Sequence, residues 1–263
     1  MQAEKIFGYF DHAFVINLDR DTERLKRVSL RFETAKINVE RFPAIERPRD
    51  SSDPKAGHRA CAYSHRRVME LALERGYQRF LVFEDDVLLR DDVAARCREL
   101  IPLLDSTSWD IFHLGLSMRK GELIAPHLKG VEEGGHMHAY GLTRQGAPKG
   151  IDSITRYFEA SQPQQWDWDW FKNAPSLRRI AAHPMLAIQA PNFSRTDGLF
   201  VDRSSLYFED KHEWKDFRRH CNEISDLTWH LYRGVGRVYR VAAKLRRGMR
   251  RAARLFGDIA GVD

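Results

Sequence analysis

The alternation of apolar and polar residues along the 263-residue chain divides its first two thirds into short strands and amphipathic helices. Residues 13–18, Ala-Phe-Val-Ile-Asn-Leu, predict a first strand. Polar Asp19-Arg20-Asp21 ends it, and Thr22 can cap a following helix with Leu25, Val28, Leu30 and Phe32 as an imperfect apolar face. Residues 39–45 predict a second strand, and the Pro-, Ser- and Asp-rich stretch 46–57 a loop. A helix then runs to about Arg75, packed through Val68, Met69, Leu71, Ala72 and Leu73, with Gly76 as its terminator. Phe80-Leu81-Val82-Phe83 reads as a short strand buried on both faces. A helix from Asp91 and Asp92 to about Leu103 follows, then a strand over 109–115, a weakly patterned connection over 117–135, a strand over 138–143, a helix over 151–158 and a last strand over 180–189. Strands alternating with helices predict an α/β fold with a mostly parallel central sheet.

The chemistry concentrates where the buried strand stops. Glu84-Asp85-Asp86 follow Phe83 directly, and three carboxylates cannot enter a core uncompensated. They emerge at the carboxyl end of the strand, the edge at which open α/β sheets bind ligands, and convergent carboxylates suit a hard divalent cation. An acidic helix cap is the other reading of the triplet alone. Asn17, Arg20 and Arg24 lie at the first strand end and the first helical turn, where donors can meet an anion or merely face solvent. Residues 166–171, Trp-Asp-Trp-Asp-Trp-Phe, interleave four aromatics with two acids. This is either a packed aromatic corner or a sugar site with a poorly solvated carboxylate able to act as a base.

Composition changes the picture in two places. Lys and Arg exceed Asp and Glu by six, but nine of the basic residues fall between Arg233 and Arg254 with no acid among them. Setting them aside leaves 34 basic against 37 acidic residues, a balance of −3, so the basicity belongs to the tail. There Val238, Val241, Ala242, Leu245, Met249, Ala252 and Phe256 share one helical face, opposite Arg240, Lys244, Arg247, Arg250, Arg251 and Arg254. A basic amphipathic helix of this kind suits an anionic membrane surface, or packs its apolar face on the domain. No nucleic-acid module accompanies it, which disfavours a nucleic-acid partner. The three cysteines, Cys61, Cys97 and Cys221, show no C-x-x-C spacing, which argues against a disulfide framework or a zinc ribbon and for a reducing compartment. The first residues lack the pattern of a signal peptide, and no apolar run is long enough to span a bilayer. The expected organisation is one α/β domain over 1–230 and a basic tail over 231–263.

The ordered motifs resemble glycosyltransferase family 25, the lipooligosaccharide galactosyltransferase-like family. The matching pieces are residues 15–20 with Arg24, Gly57 with Cys61-Ala62-Tyr63-Ser64-His65, residues 83–86, residues 110–115, His138-Ala139-Tyr140 with Arg144 and Gly146-Ala147, residues 169–171, and Pro184 with Gln189. The resemblance implies a GT-A-like nucleotide-sugar-binding fold and transfer of a hexose, galactose or glucose, from a UDP-sugar to a glycan hydroxyl with inversion. It implies a divalent metal, Mn²⁺, on Asp86 and Glu84, with His183 a further candidate ligand. Asn17, Arg20, Arg24, Ser64, His65, Glu84, Asp85 and His138 are the implied donor-binding residues. Asp169 is the candidate base, with Asp167 in reserve. The implied acceptor is a lipopolysaccharide core sugar or another lipid-linked glycan, which fits a cytoplasmic enzyme docked on the inner face of a membrane. A non-catalytic member that binds sugar or a partner is the alternative.

Overall fold

In this computed structural model the described residues are 5–48, 53, 55–159, 170–171, 174, 176–190, 192–194, 199–201, 207–208, 211–221 and 223. The expected base candidates Asp167 and Asp169, and the basic tail 231–263, lie outside them.

The first strand, β1 (His12–Asn17), leads into α1 (Thr22–Thr34), β2 (Glu40–Pro43) and α2 (Ala56–Glu74). In α1 the apolar stripe is as imperfect as its spacing: Val28 and Phe32 are buried, Leu25 is partly so, and Leu30 is exposed. Gly76 sits at φ +77°, the left-handed conformation that stops α2 and that a side chain would resist. The acidic strand is β3 (Arg79–Glu84), followed after a two-residue turn by β4 (Val87–Leu89) and then α3 (Val93–Ser106). Trp109, expected in the next strand, instead donates its indole N–H to Leu104 O at 3.1 Å and closes the end of α3.

The connection expected over 117–135 is sheet. Strand β5 runs over Ile111–Lys120 and β8 over Glu133–Thr143, with the short hairpin β6 (Leu123–Ala125) and β7 (Leu128–Gly130) at their tip. Register shifts at residues 113–120 break the period-two pattern that would have revealed the pairing. Helix α4 (Gly146–Glu159) starts five residues earlier than its apolar periodicity suggests. The single strand expected over 180–189 is two, β9 (Arg179–Ala182) and β10 (Ala187–Gln189), because Pro184 offers no N–H to continue a ladder. Two short strands, β11 (Asn192–Ser194) and β12 (Leu199–Val201), and helix α5 (Lys211–Arg219) complete the described elements.

Eight strands form one sheet in the order β2-β1-β3-β8-β5-β9-β7-β6. The pairings give six of them one direction, with β8 and β7 reversed, so the sheet is the mostly parallel α/β arrangement expected. Core clusters lie on both faces. One joins β1, β3 and β5 to α1 and α3 through Phe32, Phe83, Phe112 and Leu104. The other joins them to α2 and α4 through Phe80, Tyr140, Met69 and Ile154. Phe80, Leu81, Val82 and Phe83 are all inaccessible to solvent, as a strand with helices on both sides requires. A third, smaller cluster packs α5 over β4 and β10 through Phe217, Leu88 and Ile188.

Opposite the carboxyl end of β3, one charged residue ties three segments together. Asp110, fully buried, accepts from the Arg178 backbone N–H at 2.8 Å, from Arg178 Nε at 3.1 Å and Nη2 at 3.0 Å, and from Lys149 Nζ at 2.9 Å. Burial would raise its pKa, but these donors hold it below the usual carboxylate value.

Candidate functional site

The parallel register of β1, β2 and β3 places their carboxyl ends side by side: Ile16 is opposite Glu84, and Asn17 is opposite Pro43. Asn17 is therefore the last residue of β1 where Glu84 is the last of β3. Its side-chain amide donates to Asp85 Oδ2 at 2.8 Å and to Asp21 O at 3.1 Å. Arg24, one turn into α1, reaches Asp85 Oδ1 at 2.7 Å and Asp86 Oδ2 at 2.9 Å. Arg41 of β2 donates to Asn17 Oδ1 at 3.1 Å, and thus holds the amide in the orientation that faces Asp85. The strand ends carry a compact ionic cluster of Asn17, Arg24, Asp85 and Asp86.

Strand alternation would put Glu84 and Asp86 on one side, and the structure corrects this. The strand stops at Glu84, and Asp85 and Asp86 form the turn into β4. Period-two geometry no longer applies there, so both aspartates face Arg24. Glu84 points instead toward α2. Its Oε1 is 3.2 Å from His65 Nε2 and 3.9 Å from Cys61 Sγ, and its Oε2 accepts from Gln189 Nε2 at 2.9 Å. Tyr207 in turn donates to Gln189 Oε1 at 3.2 Å, and Tyr140 Oη lies 2.8 Å from His65 Nδ1.

The electrostatics follow this division. Burial pushes Asp85 up to about 7, with Asp86 and Glu84 adding to the rise and Arg24 and Asn17 opposing it. Burial acts the same way on Glu84, but the His65 hydrogen bond, with the charge of Arg24 behind it, prevails and holds it low. Arg24 resists burial because Asp86 and Asp85 keep it charged. His138 is fully buried, with Nδ1 2.8 Å from His136 O, and burial lowers its pKa despite the nearby Glu84. Gly115 makes room for this ring. A Cβ there would stand 2.0 Å from Ala187 O and 2.6 Å from His138 Nε2, so β5 and β10 approach closely only because the residue is glycine.

The other expected site residues fall as follows. Ser64 is fully buried, donates to Ala60 O and accepts from the Ile45 N–H, both at 2.8 Å, so it fastens the loop after β2 to α2. Arg20 pairs at the surface with Glu46 at 3.1 Å and stands apart from the cluster. His183 does not join Glu84 or Asp86; its Nδ1 is 3.4 Å from Glu213 of α5, beside a small cleft lined by Arg96, Glu99, His127 and Leu186. Trp170 and Phe171, which end the aromatic and acidic run, are anchored at the site. The Trp170 ring meets His65 edge-on at 5.3 Å, its carbonyl accepts from Ser153 Oγ at 2.6 Å, and Phe171 is buried.

Several residues of the site were given no role by the sequence, Gln189 among them. Cys61 has no second cysteine two or three residues away, but it stands one helical turn before His65 on α2, with its Sγ 3.9 Å from Glu84 Oε1. Tyr140 sits on β8, which inserts between β3 and β5, and Arg41 on β2; both placements are set by sheet order alone.

The sequence profile described as glycosyltransferase family 25 (LPS biosynthesis protein) matches residues 10–110. The mouse protein named inactive glycosyltransferase 25 family member 3 is 30% identical over 168 residues, covering 53% of this chain and 28% of that protein. Human procollagen galactosyltransferase 2 is 23% identical over 169 residues, covering 53% of this chain and 27% of that protein. The chain thus spans less than a third of the length of these relatives. Among solved structures, a glycosyltransferase involved in the glycosylation of the major capsid of PBCV-1 aligns with 65% of this chain and 80% of its own, at a TM-score of 0.39 and 10% identity. Asn17, Arg24, Cys61, His65 and the triplet Glu84-Asp85-Asp86 all lie within residues 10–110, the segment that is similar to the glycosyltransferase family 25 profile.

Proposed function

We propose that the chain is a metal-dependent, inverting glycosyltransferase that moves a hexose, galactose or glucose, from a UDP-sugar to a hydroxyl of a lipooligosaccharide or other glycan acceptor. The observation that carries this reading is the ionic cluster at the aligned carboxyl ends of β1 and β3, where Arg24 and Asn17 converge on Asp85 and Asp86. In open α/β sheets this edge binds the ligand. Arg24, Arg41 and Asn17 offer the donors that a uridine diphosphate needs, while Arg20 pairs with Glu46 at the surface. The carboxylate oxygens that suit a hard cation such as Mn²⁺ or Mg²⁺ are those of Asp86 and Asp85, which both face Arg24, whereas Glu84 would have to turn from α2 to join them. Bound there, such a cation offsets the charge that develops on the departing diphosphate. Arg24 bridges the two aspartates, and its guanidinium would be available to the phosphates if a cation stood between those carboxylates. His65 and His138 hold and bias Glu84. Asp169, or Asp167, removes the acceptor proton; Trp170, the residue after Asp169 in sequence, packs on His65. A lipid-linked acceptor gives the basic tail a reason to dock on an anionic cytoplasmic leaflet.

One observation favours the alternative, a non-catalytic member that binds sugar or a partner. The carboxylates already have protein partners, Arg24 for Asp85 and Asp86, and His65 and Gln189 for Glu84. A mouse relative, moreover, carries "inactive" in its name. The discriminating experiment is Mn²⁺-dependent UDP release from a panel of UDP-sugars, with and without a lipooligosaccharide acceptor, for the wild type and Asp86→Ala. Release from one donor, abolished by a chelator and in the variant, is the expected result. No release, together with no Mn²⁺-dependent UDP binding by calorimetry, overturns the transferase reading in favour of the binding protein. Among the described residues no helix is long and apolar enough to cross a membrane.

A further inference from the structure

The tightest set of metal-ligating side chains among the described residues is not the aspartate pair. Cys61 and His65 stand four residues apart on α2 and so share a face, which looks onto the end of β3. Cys61 Sγ, His65 Nε2 and a Glu84 carboxylate oxygen all lie within 4.8 Å of one another. The Nε2–Oε1 separation is 3.2 Å and the Sγ–Oε1 separation 3.9 Å. Bonds of about 2.0–2.3 Å at tetrahedral angles put the ligand atoms of a zinc site roughly 3.3–3.6 Å apart. Two of the three separations are within a few tenths of an ångström of that spacing, and the third, Sγ to Nε2, is no more than 4.8 Å.

The surroundings are those of a built site. His65 is fully buried, and its second nitrogen is engaged by Tyr140 at 2.8 Å. The second oxygen of Glu84 is engaged by Gln189 at 2.9 Å, and Gln189 by Tyr207. Outer partners of this kind fix the tautomer and direction of metal ligands. Trp170 closes one side against water. We propose that Cys61, His65 and Glu84 form a binding site for a thiophilic divalent cation of the Zn²⁺ class, distinct in donor chemistry from the carboxylate oxygens that suit Mn²⁺ or Mg²⁺. Thiolate and imidazole select Zn²⁺ or Co²⁺ over the hard cations. Binding replaces the proton shared by His65 Nε2 and Glu84 Oε1 and the thiol proton of Cys61. His65 then keeps its proton on Nδ1 and donates it to the Tyr140 hydroxyl. A fourth position is left for water or another ligand. The site stands whether or not the chain transfers sugar, because Asp85 and Asp86, which face Arg24, are not among its ligands.

The test uses the full chain, freed of metal with a chelator, titrated with Co²⁺ and then displaced with Zn²⁺. The expected result is a saturable thiolate-to-cobalt charge-transfer band in the near ultraviolet, bleached by Zn²⁺ and not by Mg²⁺. Cys61→Ser abolishes the band, Asp86→Asn keeps it, and Tyr140→Phe weakens Zn²⁺ binding by about 10–100-fold. Co²⁺ binding by the wild type without the band overturns the proposal, which no folding defect of a variant can confuse. So does a band that survives Cys61→Ser, since the thiolate then belongs to Cys97 or Cys221.

Discussion

Replacing Asp110 by Asn tests the physical reading of the fold at its most heavily loaded buried charge. The carboxylate is fully buried and accepts four hydrogen bonds from two cationic residues and one backbone amide. Asn keeps the shape but turns one acceptor into a donor, which must then face the N–H groups of Arg178 or the ammonium of Lys149. Breaking a buried ion pair from one side costs about 3–5 kcal/mol. Here the side chains of Lys149 and Arg178 are 33% and 45% exposed and can rehydrate, so the expected loss is about 2–3 kcal/mol. At an m-value of about 2–3 kcal/mol/M this lowers the urea midpoint by roughly 1 M. The pH dependence has a definite sign. The folded pKa of Asp110 is depressed, so its contribution is complete above the unfolded value of about 3.9 and disappears as pH falls through the folded value. Wild type and variant should differ by a constant amount from neutrality down to about pH 5 and converge as pH falls below the unfolded value and through the depressed folded one. Midpoints that coincide at pH 7, or a gap that persists undiminished at the lowest pH at which both fold, would refute the reasoning.

Two further perturbations probe the candidate site. Gly115→Ala puts a methyl group against the Ala187 carbonyl, a backbone atom that cannot swing aside; separating β5 from β10 should cost about 1–3 kcal/mol or more, read as a lower Tm, and an unchanged Tm contradicts the packing described. Arg24→Gln removes the cation between Asp85 and Asp86 and, on the transferase reading, a charged donor to the diphosphate; UDP affinity by calorimetry in the presence of Mn²⁺ should fall about 10–150-fold, and an unchanged Kd removes Arg24 from the donor site.

What was legible in the sequence depended on whether the signal was local. Phe80–Phe83 announced a strand buried on both faces because its apolar run is continuous, and Gly76 announced the end of α2 because its φ is positive. The acidic triplet announced a site because three carboxylates cannot stay in a core. How the triplet divides was not legible: that depends on where pairing stops, and only the three-dimensional register puts the end of β3 at Glu84. The pairing of β5 with β8 through residues 117–135 was hidden by bulges, and the union of Cys61, Glu84 and Gln189 by the long separations in sequence between them. His183, a candidate metal ligand by resemblance alone, lies beside Glu213 of α5, a neighbour that no local pattern announces.

The reversed strand β8 has a consequence for any attempt to shorten the protein. It lies between β3 and β5, and it enters only at residue 133, well beyond the segment that carries the family signature. A fragment cut to residues 10–110 would retain the entire acidic triplet together with Arg24, Cys61 and His65. It would also convert Phe80–Phe83 from the middle of a sheet into a bare, apolar edge with its N–H and C=O groups unmatched along one side. Such edges recruit further strands from other molecules. The piece that can be recognised by its letters is therefore not a piece that can stand alone in water, and its expected fate on expression is aggregation rather than a small, soluble, metal-binding domain.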